Sequence, residues 1–431
     1  DWFDPEWMFG VTEGFDILIG NPPYIQLQKK KLISPSLNKA YRAEGYLTFK
    51  STGDIYALFY EKGFDLLRTG GVLCYITSNK WMRAGYGEVL RDYFAHYTGP
   101  VELLDFGGFK VFKSATVDTN IYLGRKAEPE KINLKAVHFK NDFKAHHSLT
   151  EYVQDNSVTL TNLSQDTWFI GSEAELKLKE KIERLGKPLK DWDVSINYGI
   201  KTGLNEAFII DESVRAQLIA EDPKSEEIIK PILRGKDIKR YGYEENGLYL
   251  IASHNGYQGV PAIDIKEYPA IKIHLDQFEP ALFKRGDKGR TQYNLRNCAY
   301  MEEFEKEKVV WPMVSNSGGM FSFVPEAVYL NNKVYLITGE KVKLVLAILN
   351  SCFGWWYFNS QESSLGSHSL EIRKDGVMNF VMPLNIKIDS ADKIIKLVDQ
   401  ILICKGTDKD TQDLESQIDE LVMDLYELTE E

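Results

Sequence analysis

The chain has 431 residues, 43% of them hydrophobic and 12% aromatic, which is enough apolar side chain for sizeable cores in two or three domains. No run of about 18 apolar residues occurs, so no membrane-spanning helix is expected. A net charge of −11 argues against a uniformly basic nucleic-acid binder, but Pro383 to Glu431 alone hold 13 acidic and 5 basic residues, so a basic face elsewhere stays open. The four cysteines, Cys74, Cys298, Cys352 and Cys404, lie far apart with no CxxC pair and no histidine at metal spacing. They fit a reducing cytoplasm rather than a zinc site or a disulfide scaffold.

In chain order, FDILIG at 15–20 reads as a buried strand. A helix is predicted at 54–68, with Asp54 as its N-cap and Thr69-Gly70-Gly71 as its stop. VLCYIT at 72–77 is a second buried strand, SNKWMRAGYG a polar loop, 88–97 a short helix, and VELLDF at 101–106 a third strand. TVDTNIYLG at 116–124 alternates like a fourth strand. Strands alternating with helices predict an α/β unit with a largely parallel sheet. Beyond Arg125 the pattern changes. EPEKINLKAVHFKNDF is strand-like and 145–165 is polar and irregular. A helix then begins with Ser172 and Glu175 at capping-box spacing and closes at Gly186 and Pro188. From 190 to 335 short strands, Gly-rich turns and short helices mix as in an α+β domain, and helices follow at about 340–351, 390–404 and 411–427. A boundary near 130–165 divides the chain into 1–130, 131–335 and 336–431.

The chemistry concentrates where the first strand ends, at Asn21-Pro22-Pro23-Tyr24. Asn21 offers an acceptor oxygen and a donor amide. The prolines fix φ and remove two N–H donors, leaving carbonyls with no local partner. Tyr24 adds a ring that can cover a planar group. Two acceptors for an exocyclic amine and one ring for its face suit a planar amine-bearing ligand; a rigid turn capped by Asn21 is the plainer reading. The preceding strand favours the ligand, because open α/β sheets bind ligands at the carboxyl ends of their strands.

DILIGNPPYI resembles the catalytic motif of the gamma-class N6-adenine DNA methyltransferases. GDIYALFYEKGFDLLRTGGVLCYITSNKWMRAGYGEVLRDYF and LLDFGGFKVFKSATVDTNIYL are similar to the segments that follow this motif in type IIG and related restriction–modification systems. YGIKTGLNEAFIID, IIKPILRGKDIKRY and FEPALFKRGDKGRTQYNLRNCAY resemble a TaqI-like target-recognition domain over 165–330. The resemblance implies the C-terminal part of a Rossmann-like methyltransferase sheet, an α+β target-recognition domain and C-terminal helices. It also implies S-adenosyl-L-methionine as cofactor and a flipped adenine as substrate. Asn21 and the Pro22 carbonyl would take the amine, Pro23 would keep the turn rigid, and Tyr24 and Phe112 would contact the base. Asn21, and Asp16 less directly, would border the cofactor. On the residues alone, Phe112 reads as core and Asp16 equally as a strand-edge acid. Only 14 residues precede Phe15, and they hold no strand, Gly-rich turn and ribose-binding acid, so the chain is expected to begin inside the methyltransferase domain and to depend on an upstream part of the same protein.

Double-stranded DNA is the implied partner, and it needs phosphate anchors and base-edge readers. The richest candidates are Lys284, Arg285, Lys288, Arg290 and Arg296 in FKRGDKGRTQYNLR, followed by Arg234, Lys236, Lys239 and Arg240 in LRGKDIKRY. Residues 200–300 balance 15 basic against 15 acidic residues, so a solvated face remains the competing account. Trp355 and Trp356 read as core. Asp105-Phe106-Gly107-Gly108 looks kinase-like, yet no phosphate loop or HRD stretch accompanies it, and GIKTG at 199–203 lacks Walker spacing and reads as a turn. Two other functions stay open: a protein or RNA amino-methyltransferase, and a DNA-binding specificity module without activity of its own.

Overall fold

The computed structural model describes residues 4–28, 35–107, 109, 111–112, 117–127, 133–139, 143, 148–171, 173–316, 321–325, 327–361, 369–406 and 409–428. The described residues form two compact units that divide between Glu180 and Lys181. No helix among them is long and apolar enough to cross a membrane.

The first unit is built on one six-stranded sheet: β1 (Phe15–Gly20), β2 (Leu67–Ser78), β3 (Gly99–Asp105), β4 (Thr119–Arg125), β5 (Leu134–His138) and β6 (Val158–Leu160), in the order β1-β2-β4-β3-β5-β6. β1 runs parallel to β2, and β3 parallel to β5. β4 lies antiparallel between β2 and β3, and β6 is antiparallel to β5, so the expected largely parallel sheet is a mixed one. The cause lies in the 13 residues between β3 and β4, which lack the helical periodicity that a parallel crossover needs. Both faces of the sheet are covered at β3. Leu103 joins a core with Tyr60, Phe94, Tyr122 and Trp81, whereas its neighbour Leu104 joins Val137, Phe139 and Tyr152. The centre of the first core is aromatic: Phe94 stacks on Tyr122 at 4.0 Å, and Tyr60 meets both edge-on.

Several expectations need correction. β1 is not a buried strand. It pairs only with β2 and leaves Ile17 62% and Ile19 79% exposed. The helix expected at 54–68 runs Tyr56–Leu66 with Ile55 as N-cap; the Asp54 carboxylate accepts from the Tyr86 hydroxyl instead (3.0 Å). β2 begins directly at Leu67 and carries Gly70 at φ +79° within it, so the glycine pair does not separate helix from strand. Finally, β5 and β6 belong to the same sheet, which carries the first unit well beyond residue 130. Backbone pairing from Glu102↔Lys135 to Asp105↔His138 holds them there, which no local pattern in 128–143 reveals. The capping residue Ser172 lies outside the described residues, although its helix, Glu173–Leu185, is present.

The second unit contains two four-stranded sheets. One places Ile229–Leu233 between Tyr329–Leu330 and Leu248–Ile251, with Ile209–Asp211 at the end. The other orders Ser322–Val324, Lys308–Pro312, Val334–Gly339 and Val194–Tyr198. Helices Val342–Asn350, Ile388–Lys405 and Gln412–Leu425 stand where apolar periodicity places them, and residues 336–431 fall in this unit rather than apart from it.

Candidate functional site

β1 delivers Asn21 to the carboxyl edge of the sheet, because the register Gly20↔Tyr75 sets the next residue beside Ile76. Glycine at position 20 lets the chain pass close to the Tyr75 ring, which a Cβ would approach to 3.1 Å. The Tyr24 hydroxyl donates to Asn21 Oδ1 (2.8 Å) and lies 3.3 Å from the Ile76 carbonyl, so it ties the amide to β2. Downstream, Ile55 N–H donates to the Ile25 carbonyl and Leu27 N–H to the Gly53 carbonyl, both at 2.9 Å. The Pro-Pro segment is thus clamped at both ends. Asn21 is exposed, Pro22 buried, and nothing among the described residues donates to the Pro22 carbonyl. Two acceptors, the Asn21 amide oxygen and the Pro22 carbonyl, are therefore carried on a turn held at both ends. The half-buried Tyr24 ring sits edge-on to Tyr56 (6.3 Å), and burial raises its hydroxyl pKa above the ordinary tyrosine value.

Further along the same edge stands a group that sequence reasoning missed. The Asp105 carboxylate is fully buried at the end of β3 and accepts four hydrogen bonds: Asn79 Nδ2 at 2.7 Å, His138 Nδ1 at 2.9 Å, and Arg83 Nη2 and Gly107 N–H at 3.1 Å. Burial alone would push this carboxyl up; the Arg83 charge and the His138 and Asn79 hydrogen bonds outweigh it and hold it well below the usual carboxylate range. Gly107 has φ +51°, and a Cβ there would overlap His138. Asp105 therefore joins the loop after β2, the turn after β3 and the end of β5. Burial and the Asp105 charge push nearby Asp118 the other way, to about 6. The strand-end acid followed by glycines was legible, but only as a kinase resemblance. At sheet spacing β3 and β5 lie three and four strand spacings from β1, roughly 14 and 19 Å, so the Asp105–His138 pair is too far from Asn21 to take a proton directly from an amine held there. Phe112 is half-buried in the segment between β3 and β4. Asp16 is ion-paired with Arg68 Nε at 2.6 Å on an exposed face.

In the second unit the expected basic residues separate into paired and available ones. Arg234 is spent on the buried Asp237, Lys239 on Glu244 (3.3 Å) and Arg240 on Glu415 (2.6 Å), while Lys236 is exposed. Arg285 is buried and bonded to backbone carbonyls, which removes it from the candidate contacts. Lys284, Lys288, Arg290 and Arg296 are exposed around it. GIKTG is a turn with Gly203 at φ +73°, and Trp355 and Trp356 are half-buried on the helix Cys352–Gln361.

Residues 1–112, which include Asn21–Tyr24 and Phe112, match the Eco57I restriction-modification methylase family, and residues 230–380 match the TaqI-like C-terminal specificity domain. In both segments the chain is similar to type II restriction–modification methyltransferases. The specificity match shares residues 230–335 with the 131–335 expected for it, and it both starts and ends further toward the C-terminus. The type II methyltransferase M.BstVI of Geobacillus stearothermophilus is 23% identical over 98% of this chain and 75% of its own. RM.Eco57I of Escherichia coli, a type II restriction enzyme and methyltransferase, is 27% identical over 45% of this chain and 19% of its own. The fold is that of the type IIL restriction-modification enzyme MmeI, solved in complex with DNA, with a TM-score of 0.64 at 14% identity over 96% of this chain. The chain spans 55% of the MmeI chain, about half its length.

S-adenosylmethionine is the cofactor that this family implies. The described residues fit the amine side of such a site, through Asn21 and Pro22. Asp16, the acid expected beside the cofactor, is ion-paired with Arg68 on an exposed face.

Proposed function

We propose that the chain is the base-binding and DNA-reading portion of a site-specific adenine-N6 DNA methyltransferase. The observation that carries this is the clamped Asn21-Pro22-Pro23-Tyr24 turn, with its oriented amide oxygen and its unpartnered carbonyl at the carboxyl edge of the sheet. A target adenine must leave the duplex to reach such a site. The Asn21 amide oxygen has a second lone pair beyond the one that the Tyr24 hydroxyl occupies. It and the Pro22 carbonyl accept the two amine hydrogens and draw the nitrogen lone pair out of conjugation. The Tyr24 ring and Phe112 flank the base. S-adenosylmethionine supplies the methyl group. Catalysis here is positioning by fixed dipoles, without a covalent intermediate on the protein. The second unit, through its specificity domain, selects the DNA sequence.

The test is transfer of labelled methyl to mixed-sequence DNA, with protein and RNA as alternative acceptors, by wild type and Asn21→Ala. The chain and the longest natural form of the protein are both assayed. Loss of DNA methylation in the variant, with folding intact, is the expected result. Survival of transfer would remove Asn21 from the reaction, label on protein or RNA would move the substrate, and DNA binding without transfer in any form would leave a specificity module.

A further inference from the structure

We propose that the loop Gly286–Arg296 is a preformed phosphate-binding element of the specificity domain, and that Arg285 is its positioning residue, holding it from beneath without touching DNA. This rests on the DNA-reading role assigned above to the second unit.

Arg285 is 6% exposed, and no carboxylate bonds to its guanidinium. Nη1 donates to the carbonyls of Thr202 and of Asp287 (2.8 Å), and Nη2 to those of Gln292 (2.9 Å) and Asn294 (2.5 Å). The guanidinium lies over the Phe208 ring at 4.4 Å, and Nε is buried without a partner. Burial lowers its pKa to about 10, so it stays charged at neutral pH. A buried cation without a counter-ion is expensive. Here backbone dipoles, the Phe208 ring and the nearby Asp287 charge offset it without a direct ion pair, and three of the four carbonyls belong to the loop itself. A second set of bonds holds the same shape. Arg290 N–H donates to Asn255 Oδ1 (2.6 Å), and Gly289 N–H to the Asn294 carbonyl (3.0 Å). The buried Asn294 side chain donates to the Ile263 carbonyl (2.9 Å) and accepts from the Thr291 hydroxyl (2.7 Å). A side chain at Gly289 would overlap Asn255.

What this scaffold displays is positive. Residues 284–296 contain five basic residues and one acid in a chain of net charge −11. The acid, Asp287, is taken up by Lys201 (2.8 Å) and Arg296 (3.4 Å). Lys284 and Arg290 are exposed, and among the described residues no acceptor meets their charged groups. Lys288 donates to the Phe283 carbonyl (2.7 Å), which leaves its charge without a counter-ion, whereas in the neighbouring 234–240 stretch three of the four cations are paired with carboxylates. Cations spread along a stiff loop, with no convergent pocket, suit a chain of phosphates better than a single anion.

The test is fluorescence anisotropy of a labelled mixed-sequence duplex with the full chain over a series of KCl concentrations. Lys284→Ala and Arg290→Ala should each reduce the slope of log affinity against log salt by about 0.9, one phosphate contact each. Arg285→Met should reduce it by about twice that or more, and adding Arg290→Ala to it should change nothing further. Arg285→Lys should behave as Arg285→Met does, because one ammonium cannot span four carbonyls. An Arg285→Met loss that equals one contact and adds to that of Arg290→Ala would make Arg285 itself a contact and overturn the proposal. Should Arg285→Met not fold, Asn255→Ala keeps the buried charge in place and should still lose the Arg290 share of the slope. A wild-type slope in Asn255→Ala would also overturn the proposal. No binding by the wild-type chain would instead sink the DNA-reading role and the loop's role with it.

Discussion

Asp105→Asn exchanges a buried carboxylate for an amide of the same shape. In the wild type the carboxylate accepts from Asn79, Arg83, His138 and the Gly107 N–H. The amide keeps one acceptor and turns a donor toward groups that also donate. Hydrogen bonds to charged groups contribute about 1.5–3 kcal/mol each, and removing one partner of a buried ion pair costs about 3–5 kcal/mol. Since the amide itself is cheaper to bury, a net loss of about 3 kcal/mol is expected for the first unit. With a urea dependence of about 1–3 kcal/mol per molar, that shifts its midpoint by on the order of 1–3 M. Hydrogen exchange across a urea series, followed on peptides of the first unit, reads this separately from the second unit. The pH dependence has a definite sign. The folded Asp105 carboxyl is depressed below its unfolded value. Its contribution is therefore complete above the unfolded pKa of about 3.9 and is lost as pH falls toward the folded value. The gap between wild type and variant should be widest at neutral pH and should narrow below about pH 4. An unchanged midpoint at neutral pH, or a gap indifferent to pH, would show that the four bonds do not hold the three loops together.

Asp118 should behave in the opposite sense. Its folded pKa is raised to about 6, so folding protonates it, and the charged form is a burden above that pH. Asp118→Asn should stabilise the first unit by about 1–2 kcal/mol at pH 8, after discounting for partial exposure, and make no difference below about pH 4; thermal melts at the two pH values decide it. Tyr24→Phe removes the hydroxyl that orients Asn21 and should cost only about 0.5–1.5 kcal/mol of stability. In any form of the protein that transfers methyl groups, kcat should fall more than KM rises, whereas a change confined to KM would limit Tyr24 to binding. Arg91→Met withdraws the buried donors from the carbonyls of Trp81, Ala84 and Gln165 and should destabilise by about 3 kcal/mol, with faster hydrogen exchange in the loop after β2. Exchange unchanged in that loop would mean that Trp81 packing alone holds it.

Much of this was legible locally. The apolar run before Gly20, the prolines at 22 and 23, and the apolar stripes of 342–350, 388–405 and 412–425 each act over a few residues. Strand, turn and helices could therefore be read from them directly. The amine-acceptor character of Asn21 and Pro22 follows from chemistry alone. Other properties depended on partners distant in sequence. Whether β1 is buried depends on its strand neighbours. The extent of the first sheet depends on β3 finding β5. The roles of Asp105 and Arg285 depend on groups brought from 33 and 83 residues away, His138 and Thr202. Charge counting could name a basic cluster but not divide it, because a buried arginine facing carbonyls and an exposed one facing solvent are identical in sequence. Propensity, turn chemistry and side-chain donor sets are local and were determined by the sequence itself. Burial, pairing and the sign of a pKa shift are sums over neighbours in space, and only the tertiary structure decided them.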